Sequence, residues 1–321
     1  MEPEYKRAVR LTLEKKRLWA AGLLTALTLS EAWWILFGWG PESLGERAGI
    51  WVRGGGGRGA GDFILFILVA LVSFVVLRAL GYLGELVLVR QVAGAEAGEV
   101  PSFGDAFMPS RNRYLPFAAT LLPWDALRVA VIYLPALIIA VWDRWDPRYN
   151  RLGLYLLAIL MWLLILLTVF ILAGITTTLA ARFSLLENQN PPEAWLKGWA
   201  LFRRYPAKCL AIWLQAVTAD IIFLVLAWPI SALVPWVVGL VVGPIGFAPL
   251  RWLFYLIGYA ILAGGLVIGQ AAVQCYKSSL WTVTFVEFRE ERGERVKFEE
   301  APISPRPGRV LEPPPDFMPP S

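Results

Sequence analysis

An all-α fold, a polytopic bundle of transmembrane helices, is predicted for this chain by three features. Apolar residues make up 57% of the 321 positions and charged residues 17%. The apolar residues gather in long runs rather than in amphipathic stripes, and a run of about 20 crosses the roughly 30 Å hydrocarbon core as a helix. Most of the 30 Lys and Arg residues fall on alternate connections, as the positive-inside rule requires.

The runs predict six spans, at about 19–39, 63–89, 115–142, 152–180, 209–229 and 250–274. Residues 1–18 form a basic segment with Lys6, Arg7, Arg10, Lys15, Lys16 and Arg17, and no small-residue cleavage site follows, so the first span reads as uncleaved. Gly54 to Gly57 make a flexible tether rather than a phosphate-binding loop, because no Gly-Lys-Ser/Thr follows and no strand precedes. The second run is long enough to tilt or to project beyond the bilayer. Ser102 precedes a short polar helix, and Pro191 and Pro192 suit the start of a second. In that second helix Trp195, Trp199 and Phe202 recur at helical spacing beside Lys197, Arg203 and Arg204, the pattern of a helix lying on the membrane surface.

Pro229, Pro235, Gly239, Gly243, Pro244, Gly246 and Pro249 predict a broken outer segment over 230–249 between spans five and six. The membrane domain then covers 19–286. A charged and then Pro-rich tail covers 287–321, with both termini on the cytoplasmic side of a cytoplasmic (inner) membrane. Residues from Pro305 onward favour extended polyproline II and cannot build a core. Of the 16 tryptophans, Trp33, Trp34, Trp39, Trp142, Trp145, Trp236 and Trp252 fall where an aromatic belt would place them.

Composition narrows the chemistry. The chain has no histidine and two cysteines, Cys209 and Cys275, which excludes His-based nucleophile activation and the His/Cys clusters that hold zinc, haem or iron–sulfur centres. No catalytic residue, metal site or cofactor is expected, and no nucleic-acid partner either, since anionic lipid accounts for the basic face.

The charges inside the apolar runs are the candidate site. A charge at the bilayer centre costs about 2.5–3.5 kcal/mol on insertion scales. Asp125 and Arg128, three residues apart on one helix face, together with Glu31, Arg78 and Asp220, predict an internal polar cluster in which Arg78 and Arg128 face the three acids. Three readings stand open: ion pairs that specify which helices meet, a polar site for a lipid headgroup or other charged small molecule, and a proton or ion path. Glu85 is placed near the inner surface, outside this set.

Two blocks share one plan: an inward span, a Pro-initiated helix ending in Arg-Tyr, and an outward span. Arg113-Tyr114 aligns with Arg204-Tyr205, a weak internal repeat. At "GEVPSFGDAF…RYLPF" and "LLENQNPPEAWLKGWALFRRYP" the chain resembles the membrane domain found with bacterial glycerophosphoryl diester phosphodiesterases and its stand-alone six-span relatives. The resemblance implies a bacterial inner-membrane bundle over about 15–285. It carries no hydrolase activity here, because that chemistry belongs to a separate domain with histidines that this chain lacks.

The function expected is that of a non-enzymatic scaffold or accessory subunit, embedded in the lipid bilayer and meeting a protein partner through its cytoplasmic face or tail. The alternative is a small transporter or lipid-handling protein that uses the polar cluster.

Overall fold

The computed structural model describes residues 3–29, 58–127, 152–242 and 247–291, and every regular element among them is helical. The chain opens with α1 (Glu4–Glu14) and α2 (Leu18–Leu29). Glu4 sits in the first turn of α1, where a carboxylate complements the helix dipole. Residues Lys15–Arg17 break the path, and Trp19 Nε1 donates to the Thr12 carbonyl at 2.8 Å to set the angle of the break. α3 (Arg58–Glu96) has 39 residues, about 58 Å of helix. This is the overlong second run, and it extends past the bilayer thickness as its length required.

A short helix, α4 (Phe103–Phe107), follows and is capped by Ser102, whose Oγ accepts from the Asp105 N–H at 3.3 Å and donates to the Asp105 carboxylate at 2.6 Å. A 3₁₀ turn over Met108–Arg113 leads without interruption into α5, residues 114–127. The remainder of the span expected to 142, and of the first span to 39, lies outside the described residues.

α6 (Leu152–Leu186) ends where Asn188 takes a left-handed backbone conformation, φ 56°, which asparagine tolerates better than most residues. α7 (Pro191–Arg204) starts on its two prolines, whose missing N–H groups would be unsatisfied in a first turn anyway. It packs on α6 through Gly198: a Cβ there would stand 2.9 Å from the Thr176 carbonyl oxygen.

A departure from expectation concerns 230–242 of the segment read as broken over 230–249; residues 243–246 of it lie outside the described residues. α8 (Pro206–Val242) runs unbroken through Pro229 and Pro235, and α9 (Ala248–Glu291) begins just beyond it. The expected spans 209–229 and 250–274 are thus the N-terminal parts of two longer helices. Among apolar side chains a broken backbone has no water to bond, so one lost hydrogen bond costs less than an open turn. Around Pro229 the Ser231 hydroxyl donates to the carbonyls of Ala227 (2.6 Å) and Trp228 (3.0 Å), adding local hydrogen bonding. The two helices form an antiparallel hairpin whose register is fixed by Lys208 with Glu287, Asp220 with Lys277, and the packing of Phe223 on Gly269.

The helices converge at one end. There Phe183, Phe285, Leu280 and Phe288 build one core between α6, α7 and α9, with Phe183 edge-on to Phe285 at 4.9 Å between ring centres. A second core joins α2, α3, α5 and α9 through Leu18, Leu86, Phe117 and Val283. At Gly22 a Cβ would lie 2.3 Å from Cys275 Sγ, and at Gly84 one would lie 2.7 Å from the Thr25 nitrogen, so both glycines permit a close three-helix approach. Toward the other end the same helices expose Leu68, Val72, Leu160, Leu164, Trp228, Trp236, Trp252 and Ile261. Among the described residues, three stretches, Leu167–Leu186, Pro206–Leu240 and Pro249–Glu291, are long and apolar enough to cross a membrane, which marks the chain as a membrane protein.

Candidate functional site

Among the described residues, three ion-paired sets tie helices of the packed end together, beside the separate Asp220–Lys277 and Arg289–Glu187 pairs. In the first, Asp125 of α5 accepts from Arg78 Nη2 at 2.5 Å and from the Tyr82 hydroxyl. Arg78 and Tyr82 lie four residues apart on α3 and therefore share a face. The Tyr114 hydroxyl donates to the Ala79 carbonyl at 2.8 Å, which holds the start of α5 against α3 and brings Asp125 into register. Asp125 is 7% exposed, so the pair is a buried, hydrogen-bonded one.

Asp220 does not join this set, contrary to the sequence expectation. It accepts from Lys277 Nζ at 2.7 Å across the α8–α9 hairpin. The hairpin brings its own cation to Asp220 before any other helix can, and both side chains keep partial exposure, 27% for Lys277 and 38% for Asp220. Lys277 was missed because span six was ended at 274, three residues short of it. Glu31 and Arg128 lie outside the described residues.

Glu85, placed outside the expected cluster, belongs to the second set. It faces Arg182 Nη2 at 3.1 Å, and the Ser278 hydroxyl donates to the same carboxylate oxygen at 3.3 Å. Arg182 also donates through Nη1 to the Thr178 carbonyl at 3.1 Å and is 2% exposed. The set ties α3, α6 and α9 together. The signal was present in the sequence: Arg78, Tyr82 and Glu85 recur at i, i+4 and i+7, one continuous polar line on α3. Arg182 escaped notice because the fourth span was ended two residues earlier, although α6 continues to Leu186.

The third set lies where α1 meets the hairpin. Lys208 Nζ reaches Glu287 at 3.0 Å, Glu4 at 3.3 Å and Glu291 at 3.4 Å, and it sits 5.0 Å from the centre of the Phe288 ring. Burial alone would raise the Glu4 carboxyl. Hydrogen bonds from the backbone, Glu287 and Lys208, with the Lys208 charge, outweigh that and hold it below the ordinary carboxylate value. Arg7, also on α1, pairs with Glu96 of α3.

The basic residues singled out on α7 are at the surface. Lys197 is 3.7 Å from Glu187, while Arg203 and Arg204 are exposed, and the Arg204 guanidinium lies 5.5 Å from the centre of the Tyr205 ring. Leu196 and Trp199 are exposed beside them, and Ala194, Gly198, Leu201 and Phe202 are buried on the opposite face. α7 is therefore amphipathic in the folded chain.

Chemically, these sets hold helices together. Asp125, Glu85 and Asp220 each face a cation at ion-pair distance, and both cysteines are buried with free thiols. Among the described residues no three His, Cys, Asp or Glu side chains are placed to hold a metal ion. Of the two Arg-Tyr junctions that suggested a repeat, Tyr114 bonds back to the preceding long helix and Tyr205 stacks on Phe288 of α9 at 4.7 Å, so the matching letters have different partners. No family model, curated protein or solved structure matches the chain.

Proposed function

We propose that this is a six-span inner-membrane protein with both termini in the cytoplasm, acting as a non-enzymatic scaffold or accessory subunit through its packed end. One observation carries the reading: the buried charges pair between different helices and so specify which helices meet. Arg78 binds α3 to α5, and Arg182 binds α6 to α3 beside α9. This is the best-attested use of buried ionic groups, which often add little net stability. The packed end also presents exposed α7 cations beside Leu196 and Trp199, a surface suited to the anionic leaflet and to a partner resting on it. Kinship with the membrane domain of the phosphodiesterases, the internal repeat and the interfacial position of α7 belong to this same proposal. They are supported by the motifs around 98–117 and 185–206 and by the amphipathic helix that the second motif forms.

Native mass spectrometry after gentle extraction tests the proposal. A stoichiometric protein partner that survives Asp125→Asn supports it; a bound lipid or metabolite lost on that substitution overturns it. A lipid-handling reading draws on the partly exposed Asp220–Lys277 pair, and it requires that Asp220→Asn leave a folded protein without bound lipid.

A further inference from the structure

α1 rests along the C-terminal part of α9, antiparallel to it. Two contacts fix the alignment. The Cys275 thiol donates to the Leu18 carbonyl at 3.4 Å just past the end of α1, and Lys208 joins Glu4 at the start of α1 to Glu287 and Glu291. On its flank Arg7 pairs with Glu96 of α3. The hold is thin. Ala8, Leu11 and Thr12 are the buried residues of α1, and of these Leu11 alone is large and apolar. Tyr5, Lys6, Val9, Arg10, Leu13 and Glu14 are exposed. Both pins stay open to solvent, with Glu4 and Arg7 each 27% exposed, and ion pairs so placed hold weakly. At one pin three carboxylates also compete for a single ammonium.

The floor adds a cost. Ser279 and Thr282 follow Cys275 by four and seven residues, so they share the face that α9 turns toward α2 and α1. Both are fully buried, and neither hydroxyl has a hydrogen-bond partner among the described residues. A buried hydroxyl without a partner penalises the packed state, and water relieves that penalty once the seam opens. Lys15, Lys16 and Arg17, between α1 and α2, are exposed and already depart from the helix. A helix of 11 residues is marginal in water by itself, so α1 is ordered by what it rests on.

We propose that α1 is a strap that lifts from α9 about residues 15–17 while the rest of the bundle stays folded, and that its ion pairs with Lys208 and Glu96 set how often it lifts. Openings of this kind come from the least anchored part of a fold. α2 is anchored differently: Gly22 lets it close on Cys275, and Gly84 lets α3 close on Thr25, so the opening stops at the hinge. Lifting α1 bares Ser279 and Thr282, a polar strip of the packed end that is otherwise shut. The strap follows from packing and charge alone, whatever partner the packed end takes.

The test is thiol labelling of the full-length chain in its membrane by a polar maleimide, with each site read by peptide mass spectrometry. Thr282→Cys and, separately, Ser279→Cys place probes in the seam, and buried Cys275 beneath α2 is the internal reference. Glu4→Gln with Arg7→Gln is expected to speed labelling of the probes roughly tenfold and leave Cys275 unlabelled. Arg7→Glu is expected to speed it as well, and Glu96→Arg on top of that to slow it again. In the chain without new cysteines, high salt is expected to lower hydrogen-exchange protection over residues 4–14 and to leave α2 unchanged. Labelling indifferent to these substitutions, or protection of residues 4–14 indifferent to salt, would overturn the proposal. So would labelling of Cys275 in step with the probes, because the bundle would then open as a whole.

Discussion

Asp125 takes hydrogen bonds from two α3 side chains while almost shut off from solvent, so removing its charge takes away a buried acceptor that Arg78 and Tyr82 share. Breaking one side of a buried pair costs about 3–5 kcal/mol. Asp125→Asn is expected to destabilise by that order in a detergent thermal-unfolding assay, with much of the loss recovered when Arg78→Met accompanies it. Asp220→Asn breaks a pair made within one hairpin rather than between separate helices and is expected to cost less than Asp125→Asn. A reversal of this ranking would mean that the hairpin pair, not the α3–α5 pair, holds the bundle. Pairing was only partly legible in the sequence. Composition exposed the charges, but the partner of each depends on which helix comes within reach, and Lys277 reaches Asp220 because α8 and α9 pack antiparallel.

At the scale of the helix, proline and glycine meant different things from what their clustering suggested. Pro229 and Pro235 lie inside α8 without ending it, so the sequence reading of a broken segment overestimated proline as a breaker where no water competes for the backbone. Pro229→Ala is therefore expected to leave the fold intact and to raise thermal stability slightly; a collapse in yield would show that the proline shapes the hairpin. Gly22 is the opposite case. A Cβ there meets Cys275 Sγ at 2.3 Å, so Gly22→Ala is expected to destabilise by about 1–3 kcal/mol through overpacking. Cys275→Ala in the same chain should relieve much of that loss. Helix content, the overlong α3, the Ser102 start and the Pro191 start were all legible, because local capping and hydrophobic run length decide them. The seam between α2, α3 and α9 was not, because it joins residues far apart in the chain through the absence of side chains.

For the whole molecule, α1 and the hairpin are clasped at Lys208, and that clasp has a pH sense. Glu4 titrates below its ordinary value when folded. Its contribution is fully present above the ordinary value near 4.5, and it is lost as pH falls through the lower folded value. Protection against hydrogen exchange in residues 4–14 should therefore fall on acidification below that range, and Lys208→Met should weaken the dependence without abolishing it, since backbone and Glu287 hydrogen bonds also lower Glu4. The bundle holds a membrane-scale apolar surface at one end and a dense, ion-paired core at the other. The division is set by where the charged residues of α3, α6 and α9 fall, and it frames the proposed scaffold role. The most direct test is a double-mutant cycle on Glu85 and Arg182, using Glu85→Leu, Arg182→Met and the pair together, read by thermal unfolding of the intact protein. Strong coupling is expected, with each single change costing several kcal/mol and the double change far less than their sum. Additive, small effects in variants that stay folded but lose a bound lipid or metabolite would contradict it and make the buried charges a binding site.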